Sequence, residues 1–309
     1  ALLLGLLSPF AIKLYQLPED KVGKRSGQIF FWGTIGSILG SLSSGFFLIP
    51  HFGISTIIIA TGLMLSLLSL SCLFLTSRPS IKLRIVFSAI LLLQIFLAWI
   101  FLGNKTTGII FEADGVYEHI AIEDGIFNDQ PTRFLIQDKS QSAAMYLHSE
   151  ELVYSYTKYY ELYKLINPEA ENFFLIGGGA YSIPKTILND VPKAQVTVTE
   201  IEPGLFSLAK QYFNVKDDPR LSNVMEDGRR FLEKTDERYD VIVSDVYYSF
   251  FSIPSHFTTQ EFFNLAKNRL GDNGVFVGNF SGDLLQENPS FIFSEIKTFK
   301  EIFENNYFF

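Results

Sequence analysis

Cysteine is all but missing from this chain: Cys72 is the single one in 309 residues, so no intrachain disulfide can form and no thiolate cluster can hold zinc. It falls in an apolar run and reads as a packing residue. Charge is missing too, over a long stretch: residues 26–77 contain no Asp, Glu, Lys or Arg. Up to residue 103 there are seven basic residues and two acidic ones, Glu19 and Asp20, a balance of +5; the whole chain stands at −8, so the remainder carries −13. Two solvents are implied, lipid for the first third and water for the rest. The missing charge also argues against a pump in this piece alone, because transport couples through ionisable groups inside the spans.

A membrane-crossing helix needs about 20 apolar residues. Residues 28–50 and 54–75 meet that requirement, 85–102 barely does, and 1–12 reads as the tail of a helix. A secretory leader would be one apolar stretch with a cleavage site, and this repeated pattern is not that. Gly36 and Gly40 form a GxxxG pair, with Gly33, Ser37, Ser41, Ser44 and Gly45 nearby, small residues that let a neighbouring helix approach. The chain begins without Met inside an apolar run and ends on Tyr307-Phe308-Phe309, which reads as a fragment. The loops at 13–25 and 78–84 are both basic, which places both in the cytoplasm and, if 85–102 crosses, puts everything after Gly103 outside it.

After residue 104 the texture changes. Runs at 108–113, 116–123 and 132–137, separated by Asp114-Gly115 and by 124–131, predict a small antiparallel sheet. A helix is predicted over 149–166. From there strands and helices alternate: strands at 173–176, 195–200, 222–225, 239–244 and 275–279, with helices after Tyr181, Pro203 and Asp227 and over 258–270. That alternation predicts a parallel sheet covered on both faces, with ligands at the carboxyl ends of its strands.

The candidate residues fall at those ends. Gly177, Gly178 and Gly179 follow the first strand, where missing side chains let backbone approach a ligand and a helix start offers free N–H groups. Glu200 ends the second strand, where a carboxylate can accept from both hydroxyls of a ribose. Asp227, followed by Gly228, comes after the third, and Asp245 ends the fourth. A dinucleotide or S-adenosylmethionine would both suit a glycine loop with a downstream acid. The dinucleotide fingerprint wants a third glycine where Ser182 stands, and gives Asp227 and Asp245 no role. An adenine amino group and a cationic sulfonium would each welcome a carboxylate, so the sulfonium nucleotide is preferred. Among the remaining groups, Glu202 reads as a cap-like residue before Pro203, and His256 as a loop histidine. Tyr154, Tyr156, Tyr159, Tyr160 and Tyr163, at helical spacing, read mostly as packing.

The stretches FFLIGGGAYSIPKTIL, VTVTEIEPGLFSLAKQYF, DDPRLSNVMEDGRRFL, YDVIVSDVYYS and HFTTQEFFNLAKNRLGDNGVFVGN resemble the spermidine synthase (aminopropyltransferase) family. YEHIAIED and ELVYSYTKYYEL fall where that family has its small β domain and a substrate-side tyrosine. The SPFAIKL and GQIFFWGTIGSILGSLSSGFFLIPHFG segments are similar to the membrane portion of proteins that fuse a transporter-like region to such a domain. The resemblance implies an α-helical membrane region over 1–103, a small antiparallel β domain over 104–148, and an α/β Rossmann-like domain of the class I methyltransferase type over 149–309. It implies that Gly177–Gly179 and Glu200 bind the methionine-derived and ribose portions of S-adenosylmethionine or its decarboxylated form, and that Asp227 and Gly228 bind the adenine. Asp245 would be the catalytic carboxylate, with Tyr154 beside it and Gln141, Tyr247 and Tyr248 in the substrate pocket. No metal is implied.

The departures are specific. Family members have Asp where Ala180 stands, a second acid where Tyr248 stands, and glutamine where Glu118 stands; Gln141 falls one residue early after Asp138. A polyamine is a polycation and wants several carboxylates, so the acceptor could be an amine or no separate molecule at all. Loss of acceptor-side acids costs nothing if the nucleotide's own amine or carboxylate attacks the carbon beside sulfur. A nucleotide sensor on a transporter and a methyltransferase complete the readings. The expected partners are a lipid bilayer, a small-molecule amine or none, and a second copy of this chain, with no nucleic acid. Because the nucleotide is made in the cytosol, the catalytic domain is expected there, against the loop charges.

Overall fold

The computed structural model describes residues 7–14, 22–76, 81–103, 108–138, 140–247, 253–282 and 291–308. The chain divides between Phe101 and Leu102 into two compact units.

The first unit is helical. Helix α1 spans Leu7–Leu14 and α2 spans Val22–Ser43. The latter continues through a wider π-helical turn, Ser44–Leu48, into a last turn, Ile49–Phe52. Pro50 has no N–H to return to the turn before it, and the helix widens just upstream. Gly53, at φ +70°, ends it, and α3 (Ile54–Thr76) begins at once; α4 spans Ile81–Gly103. Phe30, Trp32, Phe46, Ile58, Met64, Leu92 and Trp99 all point away from the unit's own protein contacts. Helices apolar all round belong in lipid or in a large core. By length and composition Gly23–Phe52 and Ile54–Ser71 can each cross a bilayer, whereas the apolar part of α4, Ile85–Ile100, is shorter.

The second unit opens with an antiparallel meander: β1 (Ile109–Asp114), β2 (His119–Phe127), β3 (Gln130–Gln137) and β4 (Ser140–Tyr146), paired in chain order. Two expectations are corrected here. The segment read as a separator, 124–131, is mostly strand: only Asn128 and Asp129, at φ +48° and +60°, turn the chain. Positive φ at both central residues is the two-residue hairpin geometry that matches strand twist, and Asn and Asp tolerate it. The fourth strand, SQSAAMY, was not expected; serine and alanine have weak strand preference, and its place is fixed by pairing with β3.

A third correction concerns the helix expected over 149–166. Leu152 bridges back to Met145, which keeps the chain extended, so α5 covers only Ser155–Lys158 and passes into a 3-10 segment, Tyr159–Leu165.

The remainder is the α/β layer structure expected: β5 (Asn172–Ile176), α6 (Ser182–Asp190), β6 (Gln195–Thr199), α7 (Leu205–Tyr212), β7 (Leu221–Val224), α8 (Gly228–Lys234), β8 (Tyr239–Ser244), α9 (Gln260–Asn268), β9 (Leu270–Gly278) and α10 (Phe291–Ile302). The strands are parallel in the order β7-β6-β5-β8-β9. Phe173 and Leu175 of β5 pack with Val196, Val198, Val241 and Val243 on one face, and Phe174 and Ile176 with Ile242, Phe262 and Phe263 on the other. Burial of alternate residues on both faces explains why β5 reads as a continuous apolar run. The small sheet joins this core through Ile120, Ile122, Leu135 and Met145, which cluster with Ala180, Leu205, Leu208 and Phe213.

Candidate functional site

The register of the parallel sheet sets one line of residues. Ile176 lies opposite Thr199 and Ser244, Thr199 opposite Val224, and Ser244 opposite Gly278. The next residues therefore leave the sheet at one level: Gly177, Glu200, Asp245 and Asn279, with Asp227 two residues beyond Met225. The ladder runs one bond further, Gly177 N to Thr199 O (2.9 Å), Asp245 N to Ile176 O (3.1 Å) and Asn279 N to Ser244 O (3.0 Å). Strand order reverses between β5 and β8, which is where open α/β sheets leave a crevice.

The glycines are required by space. Gly177 has φ +90°, and a Cβ there would lie 2.7 Å from the carbonyl oxygen of Asp245. At Gly178 it would meet the Tyr181 ring at 2.4 Å. Gly179 has φ +52° and faces Ala143 of β4. Tyr181, also left-handed at φ +57°, has its ring fully buried against Phe206, with its hydroxyl donating to Asn223. The Ala180 methyl is buried in the cluster beneath the small sheet and also reaches the cavity wall.

Glu200 closes the loop from the other side. Its two oxygens accept from the backbone N–H of Gly178 and of Glu202, both at 2.9 Å. Burial raises its carboxyl from the ordinary glutamate value, and these amides hold it partly back. Asp227 caps α8 by accepting from Arg230 N at 2.9 Å, and its other oxygen lies 3.0 Å from His256 Nε2. Gly228 lets α8 start against the sheet: a Cβ there would lie 2.3 Å from Ile176 Cγ2.

Asp245 accepts from Asn279 Nδ2 at 3.1 Å. Burial pushes its carboxyl up, against the pull of Asn279 and the nearby Tyr160 hydroxyl. Tyrosines surround it. Tyr154 stacks on Tyr156 and meets Phe127 edge-on, and Tyr247 donates to Asn279 O at 2.9 Å. Burial drives the Tyr154 hydroxyl up to about 12, and its oxygen is buried without a hydrogen bond among the described residues. Tyr156 is raised further, by burial and by the Asp245 charge.

These groups wall one cavity of about 700 Å³. It brings together Gly177, Gly178, Gly179, Glu200, Asp227, Gly228, Asp245, Tyr154, Gln141 and Tyr247, all of them expected from the sequence. Gln141, at the start of β4, is exposed on its rim; Tyr248 lies outside the described residues. Three contributors were not expected. His256, read as a loop histidine, meets Asp227; Asn279 holds Asp245; and Tyr156, read as packing, faces the cavity. Asn279 was within reach, since it stands at the end of the fifth strand as Asp245 does at the fourth. Nothing in the sequence marks His256 or Tyr156, which reach the site through tertiary packing. Glu202, read as cap-like, is buried and accepts from Tyr117 N at 2.9 Å, tying the β1–β2 turn to the loop after β6.

Comparison with known proteins bears on the family and the fold. A spermine/spermidine synthase domain profile matches residues 154–309. A polyamine aminopropyltransferase of Buchnera aphidicola (subspecies Schizaphis graminum) is 33% identical over 123 residues, 38% of this chain and 43% of that protein. That of Serratia proteamaculans is 30% identical over 131 residues, 41% of this chain and 45% of its own. The chain thus spans under half the length of these curated relatives. Among solved structures, a probable spermidine synthase from Corynebacterium glutamicum has a TM-score of 0.55 at 23% identity, over 64% of this chain and 72% of that one. A spermidine synthase in complex with the transition state analogue AdoDATO has a TM-score of 0.52 at 18% identity, over 65% and 67%. The fold is shared with both, and the profile match over half of the sequence shows that the chain belongs to the spermine/spermidine synthase family.

Proposed function

We propose that the chain is a membrane-anchored transferase that binds S-adenosylmethionine or its decarboxylated form and lets an amine displace methylthioadenosine, a polyamine-type aminopropyl transfer. The observation that carries this reading is the level line of Gly177, Glu200 and Asp245, with Asp227 just beyond it, around one cavity. The glycine loop and Glu200 would take the methionine-derived and ribose parts, and Asp227 and Gly228 the adenine. Asp245 would orient the attacking amine and take its proton. The amine nitrogen forms a bond to the carbon beside the sulfonium, the carbon–sulfur bond breaks, and its electron pair leaves sulfur neutral. Little else is asked of the protein beyond holding the two centres in line. A carboxyl raised by burial suits the proton transfer.

A second reading rests on the same wall. Around Asp245 stand Asn279 and the tyrosines Tyr156, Tyr160 and Tyr247, and Ala180 offers a methyl where the family has a carboxylate. That wall suits attack by the nucleotide's own amine or carboxylate, giving a small ring and methylthioadenosine with no acceptor. The assay is purified full chain with either nucleotide, with and without putrescine. Methylthioadenosine only with acceptor supports transfer, and methylthioadenosine without it supports the ring-forming reaction. S-adenosylhomocysteine would mean methyl transfer, and binding without product a sensor. Asp245→Asn is expected to lower turnover by about 10²–10⁴-fold, the usual worth of a positioned base, while methylthioadenosine still binds. Full turnover in that variant would sink the assignment.

The bilayer anchor is proposed on α2 and α3, with the catalytic domain in the cytoplasm where the nucleotide is made.

A further inference from the structure

His256 sits in a short 3-10 turn, Ser255–Phe257, between β8 and α9. Three contacts hold it there. Its carbonyl oxygen accepts from Arg229 Nη1 of α8 at 2.9 Å, and the same nitrogen donates to Thr259 Oγ1, the cap of α9, at 3.3 Å. Its ring packs on that of Phe257, 4.3 Å between centroids, and Phe257 is buried among the phenylalanines on one face of the sheet. Its Nε2 lies 3.0 Å from Asp227 Oδ2, 29 residues away in the chain. A surface histidine keeps its rotamer freedom; this one is anchored at its backbone, its ring face and a ring nitrogen.

Asp227 is thereby tied at both oxygens. Oδ1 accepts from Arg230 N at the start of α8 at 2.9 Å, and Oδ2 accepts from His256, since a carboxylate has no proton to give and the ring nitrogen must supply it. The helix cap alone leaves the carboxylate free to rotate about its Oδ1 contact, and the second hydrogen bond fixes its plane. Each carboxylate oxygen has two acceptor positions, so Oδ2 keeps one after His256 has taken the other. Both residues line the cavity, with the His256 side chain 41% and the Asp227 side chain 27% exposed, so that position is open to a ligand. A fixed acceptor whose neighbouring donor is already used admits a ligand N–H and repels a ligand carbonyl oxygen. At the same ring carbon, adenine carries an amino group and a 6-oxopurine a carbonyl.

Resting on the reading of Asp227 as the adenine contact, we propose that His256 is a positioning residue for the nucleobase: by donating from Nε2 to Asp227 Oδ2 it holds that carboxylate as an acceptor, so that the site selects a 6-aminopurine nucleoside over its 6-oxo counterpart. It acts through Asp227.

The test is calorimetric titration of methylthioadenosine and of methylthioinosine, its 6-oxo counterpart, into the full chain in detergent. The wild type is expected to bind the amino compound about 10²-fold more tightly, because the oxo compound leaves the acceptor unpaired. His256→Leu fills the space against Phe257 but donates nothing, and is expected to bring the ratio down to about tenfold, the loss falling on methylthioadenosine. His256→Asn, whose amide stops short of Asp227, is expected to match it and serves where the leucine variant shows no thermal transition. His256→Gln, whose longer amide can donate, is expected to recover most of the ratio. Damage to the loop would weaken both nucleosides alike. An equal loss for both, a ratio unchanged in His256→Leu and His256→Asn, or a ratio as low in His256→Gln as in those two overturns the proposal. A wild type with an intact thermal transition that binds neither nucleoside ends the nucleotide reading, and one that binds both equally ends the assignment of Asp227 to adenine; this inference falls with either.

Discussion

At the scale of single residues, the site is built from absences of side chain as much as from carboxylates. Gly177 and Gly228 hold β5, β8 and α8 at distances where a methyl group would overlap Asp245 O and Ile176 Cγ2. Gly228→Ala is expected to cost about 1–3 kcal/mol, the usual range for overpacking, read as a lower urea midpoint with unchanged slope. An unchanged midpoint would mean that α8 can move off the sheet freely. The glycines, Glu200, Asp227 and Asp245 were legible because strand-helix punctuation places them and their chemistry is distinctive. His256 and Tyr156 were not, because an imidazole and a phenol are common surface and core residues, and Asn279 was marked only by its place at a strand end. Only the neighbour brings them to the candidate site: Asn279 against Asp245, His256 against Asp227.

At the scale of elements, the small sheet is not an appendage but one wall of the cavity, and Glu202 ties its β1–β2 turn there. The buried carboxylate accepts from Tyr117 N, and Glu202's own N–H donates to Glu200. Glu202→Ala leaves the Tyr117 amide without its acceptor, which is expected to cost about 1–3 kcal/mol and to speed amide exchange at the β1–β2 turn. Glu202→Gln keeps an acceptor oxygen and is expected to restore most of that protection; equal exchange in both variants would mean that the charge, not the hydrogen bond, holds the turn. β4 and the extended 149–154 segment show why this wall was only partly legible. Ser140, Ser142, Ala143 and Ala144 carry little strand signal, and Leu152 is kept out of the helix by its bridge to Met145. Both depend on partners far along the chain, which local pattern cannot supply. By contrast β5, β6 and β8 were readable because burial on both faces demands unbroken apolar runs.

At the scale of the whole molecule, the chain is an apolar helical unit followed by an acidic α/β unit. If α2 and α3 anchor it, the full chain is expected to stay with membranes through alkaline carbonate washing, and a reporter joined after Gly103 is expected to be active in the cytoplasm. Carbonate extraction would remove the anchor, and a reporter found outside would overturn the placement and side with the basic loops at 13–25 and 78–84. Sequence by itself determined this division into an apolar and an acidic part, the parallel sheet and the carboxylates at its strand ends. Each is set by local composition or by a period of hydrophobicity, which any stretch of chain carries within itself. Only the tertiary structure decided that Ala180 sits in an apolar cluster, that Asn279, Tyr156, Tyr160 and Tyr247 gather around Asp245, and that Glu118 and Glu200 line one cavity. Those facts depend on burial and on charges brought together from distant segments, and burial together with neighbouring charge is what sets the protonation of a carboxyl group.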